Sequence, residues 1–364
     1  MFKQIKKFAL QMVAGANIAT LLVMLLVGYS GHLNPARHAS LSNINLLFPV
    51  FLLLNLAFLI FWVVFRLKYA LIPIMGFILC YQPVRAYIPL NIPSEVPDDA
   101  IKVLSYNVWS FADWEDQSRG NPIIRYIADQ KADIVCLQEA SCSPKTQADL
   151  DKIIGGIYEY SDTSCIREGE NTLAIYSRFP IVHKEKILYK SVGNHSAAFT
   201  LNIHGENVVV VNNHLETMGF SPADKANFKM MMKGEMGGNS AKRESYRLMD
   251  KLSAAARIRA PQAEAVRQFI KKRNYQSIIC VGDFNDTPLS YTHNTIAENL
   301  VDCYIASGNG PGISYHNSGF YVRIDNIMCS DDWKPYRCKV DDKITTSDHY
   351  PIYCWLKRRP SLKK

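Results

Sequence analysis

Several short apolar runs of the sequence end in polar or ionisable side chains of the kinds that hydrolytic enzymes use. The residues at these run ends are Asn107, Glu139, Asn213 with His214, Asp283 with Asn285, and Asp348 with His349. A single asparagine or aspartate in such a place is usually a turn residue or a helix cap. Five polar run ends in one region are a stronger signal, because strand ends are where a rigid scaffold presents functional groups.

The side-chain types indicate hydrolysis of a phosphate ester. Carboxylate and amide oxygens suit Mg²⁺, Mn²⁺ or Ca²⁺ better than zinc, and the nine cysteines form no CxxC or Cys/His cluster. Such a cation can bind a phosphate oxygen and stabilise the charge that grows as water attacks phosphorus. A carboxylate or carboxylate-paired histidine would remove a proton from the water, and a second histidine could protonate the leaving oxygen.

The elements that must position these groups are predicted to be short β-strands. Runs rich in Val, Ile and Tyr, separated by Gly, Pro, Asn and Asp, are typical of strands joined by turns. The runs lie at 101–109, 133–140, 171–181, 197–205, 207–216, 277–285, 322–330 and 349–357. Helices are predicted at 122–130 and 261–272. Many strands with a few helices favour an α/β sandwich.

Six segments of the chain resemble, in order, the successive motifs of the endonuclease/exonuclease/phosphatase superfamily. They are LSYNVW, LQEA, NNHLE, VGDFND, RIDN and TSDHYPI, between Leu104 and Ile352. The histidine of NNHLE favours the branch of pancreatic-type deoxyribonucleases and neutral sphingomyelinases over the apurinic endonucleases. The resemblance implies a four-layered α/β sandwich, in which two packed mixed β-sheets are flanked by helices, and a hydrolase that depends on Mg²⁺, Mn²⁺ or Ca²⁺.

The resemblance also implies a metal-binding set. Glu139 matches the principal metal ligand, and Asn107 matches a residue that contacts the metal or the phosphate. Asp348 matches a further ligand or a polarising carboxylate.

The catalytic set that the resemblance implies consists of His214, Asp283, Asn285, Asp325 and His349. Asp283 and Asn285 match the pair that orients the attacking water and the phosphate. Asp325 matches the carboxylate that fixes the tautomer of His349, and His214 is a candidate general acid. The residues expected to contact the phosphate are Asn107, His214, Asn285 and His349.

Residues 1–90 differ from the rest of the chain, because they are apolar and nearly free of acids. We predict a membrane anchor here, with two or three transmembrane helices at about 9–29, 45–65 and 69–88, each near the ~20 residues that a spanning helix needs. The third is the weakest, since it carries Gln82, Pro83 and Arg85. A cleaved signal peptide is the alternative for the first. A linker (91–99) and a catalytic domain (100–358) are predicted to follow.

The flanking charges predict the orientation of this integral protein, which we expect to be of the bacterial inner-membrane type. Lysines precede the first span and Arg66 and Lys68 follow the second, whereas the loop between the spans offers only Arg37. Basic flanks tend to stay in the cytoplasm. If the third segment also spans, as we expect, the catalytic domain is periplasmic or extracellular; if it lies on the surface, the domain is cytosolic.

The expected partners are the bilayer and a phosphate ester: a phospholipid headgroup, a nucleic acid or a small phosphoester. No obligate protein partner is evident. The formal net charge is +8, and 224–273, within a long insertion between NNHLE and VGDFN, holds thirteen Lys or Arg against five Asp or Glu. Such a surface could attract a polyanion. We therefore expect a phosphodiesterase or phosphomonoesterase; the alternatives are a nuclease acting on DNA or RNA, and an inactive binding protein on the same fold.

Overall fold

The helices and strands are taken from a computed structural model, which describes residues 2–118, 120–167, 170–273, 276–317 and 319–360. The α-helices are α1 (Phe2–Tyr29), α2 (Pro35–Ser42), α3 (Phe48–Phe65), α4 (Leu71–Leu79), α5 (Tyr81–Tyr87), α6 (Pro122–Gln130), α7 (Pro144–Ile153), α8 (Pro222–Met232), α9 (Gly238–Lys271), α10 (Tyr291–Ile296) and α11 (Cys303–Ser307). The strands are β1 (Ile101–Asn107), β2 (Ile134–Gln138), β3 (Tyr160–Ser164), β4 (Leu173–Ser177), β5 (Ile181–Ile187), β6 (Ser196–Ile203), β7 (Glu206–His214), β8 (Ser277–Asp283), β9 (Val301–Asp302), β10 (Asp325–Cys329), β11 (Trp333–Val340) and β12 (Ile352–Arg358).

The strands form two mixed sheets that pack face to face. The first has the strand order β11-β12-β1-β2-β4-β3 and the second β5-β6-β7-β8-β10-β9. In each sheet the two central strands are parallel, β1 with β2 and β7 with β8. The core between the sheets is built from inward-facing side chains of both, such as Val103, Ile134, Val210 and Ile279.

Helices cover the outer face of each sheet. Ile123 and Ile127 of α6 pack with Leu104 and Val135 of the first sheet. On the second sheet, α9 contributes Ala263, Val266 and Ile270 to a buried cluster with strands β7 and β8. The predicted α/β sandwich, with two mixed sheets flanked by helices, is therefore confirmed.

The two predicted helices have different outcomes. Helix α6 has the predicted bounds, because the Asn121 side chain caps it by accepting from the backbone N–H of Ile123 at 2.8 Å. The helix predicted at 261–272 was too short, since α9 begins at Gly238 and contains Pro261. Its buried stripe, which includes Leu248 and Ala255, starts well before the proline, and this packing outweighs the hydrogen bond that a proline removes.

A buried polar contact joins the two sheets close to one end. The side-chain amide of Gln138 in β2 donates to Oδ1 of Asn212 in β7 at 2.7 Å, and Asn212 Nδ2 donates to the carbonyl of Leu137 at 3.1 Å. Both amide side chains are fully buried. Because unpaired polar groups are costly in the interior, these bonds favour one alignment of the sheets.

One position near the end of β8 admits only glycine. Gly282 has φ +125°, and a Cβ atom there would lie 2.0 Å from the carbonyl oxygen of Asn213 on β7. The glycine lets the two parallel strands stay paired up to the residue that follows it, Asp283.

The N-terminal helices are of a length and composition compatible with a membrane anchor. Gln4–His32 and Ile44–Phe65 are each long and apolar enough to cross a bilayer. Leu67–Leu79 and Tyr81–Tyr87 pass the same test together but are bent by 68° at the break between them. The described residues thus contain two candidate spans, or three if the bent pair is one span.

Candidate active site

Strand register places three of the predicted site residues side by side at one end of the second sheet. His214 on β7 pairs with Asp283 on the parallel strand β8, and Asp283 pairs with Asp325 on the antiparallel strand β10. The last residues of β7 and β8 and the first residue of β10 therefore form a row.

The first sheet brings two more predicted residues to the same place. Asn107 ends β1 and pairs with Gln138 of β2, which Glu139 follows directly. Asn107 Nδ2 donates to Glu139 Oε1 at 3.1 Å and to Asp283 Oδ2 at 3.2 Å. One amide thus contacts a carboxylate from each sheet, which the sequence predicted only as a convergence of strand ends.

Two buried histidines face these carboxylates. His214 Nε2 lies 3.5 Å from Glu139 Oε1 and 3.8 Å from Asp283 Oδ2. His349 Nε2 lies 3.7 Å from Asp283 Oδ2, and its Nδ1 is bonded to Asp325 Oδ2 at 2.8 Å. Asp325 therefore holds the ring of His349 with Nε2 directed into the cleft.

Burial and charge set the protonation of this group. Burial alone would lower the pKa of His349, but the carboxylates of Asp325 and Asp283 outweigh it and raise the pKa to about 10. Burial raises the pKa of Asp283 above the usual value of a carboxyl, and the charge of His349 opposes that rise. At neutral pH His349 is an imidazolium, so both of its ring nitrogens are donors.

Two site residues have strained backbone. Glu139 has φ +52° and Asn285 has φ +51°, in the left-handed region that side chains other than glycine rarely adopt. Asn285 is held there because its N–H donates to Asp283 Oδ1 at 2.8 Å and its Nδ2 donates to the Leu215 carbonyl at 2.9 Å. Such strain costs of order 1–3 kcal/mol per residue and is concentrated at functional sites.

Asp348 lines the same cleft as Glu139, Asp283 and His349. Its Oδ2 accepts from Nδ2 of Asn317 at 3.3 Å. The preceding residue, Ser347, donates from Oγ to the carbonyl of Asn107 at 2.7 Å, which ties the loop before β12 to the end of β1.

The donor set of the cleft fits a hard cation. Asp283, Asp325 and His349 offer ligand atoms within 4.8 Å of one another, but an imidazolium has no lone pair for a metal. The groups that remain are oxygens, from the carboxylates of Glu139, Asp283 and Asp348 beside the amide of Asn107. Among the described residues no cysteine lines the cleft. Oxygen ligands of this kind suit Mg²⁺, Mn²⁺ or Ca²⁺.

The cleft also contains residues that the sequence reasoning missed. Lys225 from α8 and Tyr315 line it, as do Phe220 and Phe320. Lys225 lies in the insertion that the sequence marks as basic, but nothing in the sequence distinguishes it from the other lysines there.

A larger cavity, of about 830 Å³, lies at the opposite end of the sandwich, beside Ile101 and Ser277, the first residues of β1 and β8. Arg358, which lines it, forms ion pairs with Glu206 and Asp332. Because the guanidinium and both carboxylates are already engaged in these pairs, the chemistry is better placed in the smaller acidic cleft.

Comparisons with known proteins agree with this fold. The model of the Endonuclease/Exonuclease/phosphatase family matches residues 104–349, and the model of a domain of unknown function (DUF8431) matches residues 10–87. No curated protein matches the chain.

Among solved structures, the human Nocturnin catalytic domain with a bound sulfate anion has a TM-score of 0.52 and 16% identity, covering 71% of this chain and 94% of that one. D. rerio TDP2 complexed with a single-strand DNA product has a TM-score of 0.50 and 18% identity, covering 71% and 100%. Truncated Caenorhabditis elegans TDP2 has a TM-score of 0.50 and 14% identity, covering 72% and 99%. At these identities the likeness concerns the fold alone.

Replacing Asp325 with asparagine is expected to lower the pKa of His349 from about 10 toward 6.5, because it removes the strongest attraction on the imidazolium. A raised histidine pKa stabilises the fold fully below about pH 6.5, and this stabilisation is lost as the pH rises through about 10. Histidine NMR titration of the metal-free protein measures the shift.

The matched control is Asp302→Asn, which removes the partner of a second buried pair, His293 Nε2 to Asp302 Oδ2 at 2.8 Å. It should leave the titration of His349 unchanged. An unchanged His349 titration in folded Asp325→Asn protein would contradict the role given to Asp325.

Proposed function

Because this chain belongs to the endonuclease/exonuclease/phosphatase family, we propose that it is a membrane-tethered, divalent-metal-dependent phosphoesterase. It hydrolyses phosphodiester or phosphomonoester bonds by the attack of water on phosphorus. Glu139 and Asp348 would hold the cation, and Asn107 would join them on turning its amide to present Oδ1 in place of Nδ2. The bound cation would neutralise charge on the phosphate oxygens.

The chain's own side chains supply the proton transfers. Asp283 is held by the Asn285 N–H and has a raised pKa, which suits a group that accepts a proton from water near neutral pH. His349, kept protonated by Asp325, donates from Nε2 to a phosphate oxygen. His214, whose Nε2 faces Glu139 and Asp283, protonates the leaving oxygen.

The observation that carries this proposal is the contact of one Asn107 amide with Glu139 from the first sheet and Asp283 from the second. Residues that are 32 and 176 positions from Asn107 meet there. An inactive binding protein would not need an acidic cleft with two buried histidines and strained backbone at two of its residues.

A nuclease is the second candidate, favoured by the basic insertion, but much of that charge is already paired. Arg247 and Lys251 form ion pairs with Asp224. Further pairs join Arg259 to Asp286, Arg267 to Glu298 and Arg273 to Glu185. These cations are less available to a nucleic acid backbone than the count of charges suggests.

The anchor and the catalytic domain are in contact at the loop that follows Asp283. Asn45 Nδ2 donates to the Leu289 carbonyl at 3.2 Å, and Gly31 lies so close to this carbonyl that a Cβ atom would be 1.9 Å from it. The Leu289 side chain packs in a cluster with Met24 and Phe48 of the N-terminal helices.

The segment after the third apolar stretch contacts the catalytic domain as well. The guanidinium of Arg323, two residues before Asp325, donates to the carbonyl of Ala86. Asn91 Nδ2 donates to the Ile305 carbonyl at 3.1 Å.

These contacts support a three-span topology. The loop after the first span (30–43) and the segment after the third stretch (86–91) both touch the catalytic domain, so they lie on its side of the bilayer. The second span leaves that side, so the bent pair α4 and α5 must cross back. The basic residues Arg66 and Lys68 lie at the other surface, which favours a cytoplasmic position for them and a periplasmic or extracellular catalytic domain.

Purified full-length protein with Mg²⁺, Mn²⁺ or Ca²⁺ is expected to hydrolyse bis-p-nitrophenyl phosphate, and Glu139→Gln to reduce kcat/KM by about 10²–10⁴, because the cation loses a carboxylate ligand. Release of p-nitrophenol measures the rate, and a chelator should abolish it. The matched control is Glu185→Gln, whose side chain is similarly exposed (33% against 27%) but pairs with Arg273 outside the cleft. If wild-type protein binds phosphate but hydrolyses no phosphoester with any of the three metals, the proposed activity is wrong and an inactive binding protein is the remaining candidate.

Replacing Gly31 with alanine is expected to lower the free energy of unfolding by about 1–3 kcal/mol, because the new Cβ clashes with the Leu289 carbonyl. Thermal unfolding in detergent micelles measures the loss. Gly15→Ala in the same N-terminal region is the control, since nothing lies within 4 Å of its new Cβ. Equal stability of the two variants would argue against the docking of the anchor on the catalytic loop.

Reporter fusions should distinguish the two topologies. A reporter fused after Lys68 is expected to be cytoplasmic, and reporters fused after 90 and after 360 to be outside, because the third stretch crosses the bilayer. Alkaline phosphatase activity marks outside positions and green fluorescent protein marks inside ones. A cytoplasmic reporter at 90 would disprove the third crossing.

A further inference from the structure

The cleft has a second end that differs in chemistry from the acidic one. Lys225 of α8 donates from Nζ to the hydroxyl of Tyr315 at 2.7 Å, and both residues line the cleft. The Lys225 ammonium lies 5.5 Å from the centre of the Tyr315 ring, and that ring lies 5.0 Å from the ring of His349. The ammonium is thus separated from the catalytic imidazole by the width of one ring.

Helix α8 is held firmly enough to fix the position of this lysine. Ser221 and Asp224 form a reciprocal capping box at its N-terminus. Asp224 is fully buried and accepts from Lys251 Nζ at 2.5 Å, and this bond holds the pKa of Asp224 well below its usual value. Lys225 follows directly after this anchored residue.

Among the residues that the structure describes, Lys225 forms no direct ion pair, with no carboxylate oxygen within 4.0 Å of its ammonium. Its hydrogen-bond partner is the phenol of Tyr315, and because burial raises the pKa of Tyr315 that phenol stays neutral. An ammonium has three donors, so Lys225 keeps the capacity to bind an anion in the cleft.

An apolar wall stands beside Lys225. Phe228 of α8 stacks on Phe320 with the ring centres 4.0 Å apart, and Phe220 lies 5.3 Å from Phe320. Phe220, Phe320 and Met218 line the cleft together with Lys225. A ligand that extends from the acidic end can therefore contact both a cation and an apolar surface.

We propose that Lys225 and this aromatic wall form a substrate-recognition subsite for a second anionic group, such as a second phosphate, next to the scissile phosphate. The subsite selects phosphoesters that carry two neighbouring anionic groups and an apolar flank. It rests on the proposed function, because the acidic end must bind the scissile phosphate. The insertion that contains α8 is then a specificity element.

The test compares two ligands that cannot be hydrolysed and that differ by one anionic group, methylphosphonate and methylenediphosphonate. Their binding to full-length protein in detergent is measured by isothermal titration calorimetry at a fixed free Mg²⁺ concentration. Wild-type protein is expected to prefer the diphosphonate, and Lys225→Met to lose about tenfold of that preference, because a charged hydrogen bond is lost. Lys225→Arg should retain the preference. Lys229→Met, which removes an exposed lysine one turn along the same helix, should retain it too.

The origin of the second phosphate is tested with two competitors that share a headgroup. CDP-glycerol, whose two phosphates are adjacent, is soluble, and CDP-diacylglycerol is presented in phosphatidylcholine vesicles. Their inhibition of bis-p-nitrophenyl phosphate hydrolysis is compared between wild-type and Lys225→Met protein. If Lys225→Met weakens inhibition by the vesicles alone, the subsite takes its second phosphate from a lipid. If Lys225→Met also weakens inhibition by the soluble form, the source is water-soluble.

The subsite is overturned if folded Lys225→Met protein keeps the wild-type preference for methylenediphosphonate. That result leaves the proposed function intact as long as the protein still hydrolyses bis-p-nitrophenyl phosphate. Conversely, wild-type protein that binds the diphosphonate through Lys225 but hydrolyses no phosphoester contradicts the proposed function and not the subsite.

Discussion

The site depends on the alignment of two separate sheets. Asn107 and Glu139 belong to the first sheet and Asp283 to the second, so their contact exists only in one relative position of the two. An apolar core alone tolerates small shifts, because hydrophobic contact is not directional. The buried hydrogen bond from Gln138 to Asn212 is directional, and it lies one residue before Glu139 and two residues before His214. A shift of the sheets would separate the buried Asn212 amide from its partners Gln138 and Leu137, which is why this contact stabilises the geometry of the site.

The segment that follows β8 is fixed at three successive points. Asp283 is held among the site residues at its start. The buried guanidinium of Arg259, on α9, donates to Asp286 at 3.3 Å and to the carbonyl of Glu216 at 3.1 Å. Three residues later the Leu289 carbonyl accepts from Asn45 of the anchor. The insertion and the anchor therefore both contact the loop that carries Asn285, and neither is a simple appendage of the sandwich.

The sequence predicted the central strands of both sheets and the polar residues at their ends, but not the edge strands. The strands that it missed or only touched are β3, β5, β9 and β11, and these are the four edge strands of the two sheets. Edge strands carry charged side chains that discourage pairing with other chains, as in IVHKEKI of β5, so their apolar pattern is weak. Motif residues were predictable because their types stand out at strand ends. Gln138, Arg259 and Lys225 were not, because their importance comes from partners 74, 27 and 90 positions away in the chain.

The charges of the cleft explain why its two ends differ. Four carboxylates, Glu139, Asp283, Asp325 and Asp348, face the imidazolium of His349, the imidazolium of His214 in its role as general acid, and the ammonium of Lys225, so the cleft has one negative charge in excess when its acids are ionised. A buried excess charge is costly unless it is balanced, and an anionic phosphate would add to it. A divalent cation balances this excess, which supports the proposed metal. The ammonium of Lys225, held beyond the Tyr315 ring, is then free to meet a negative charge that the substrate itself brings.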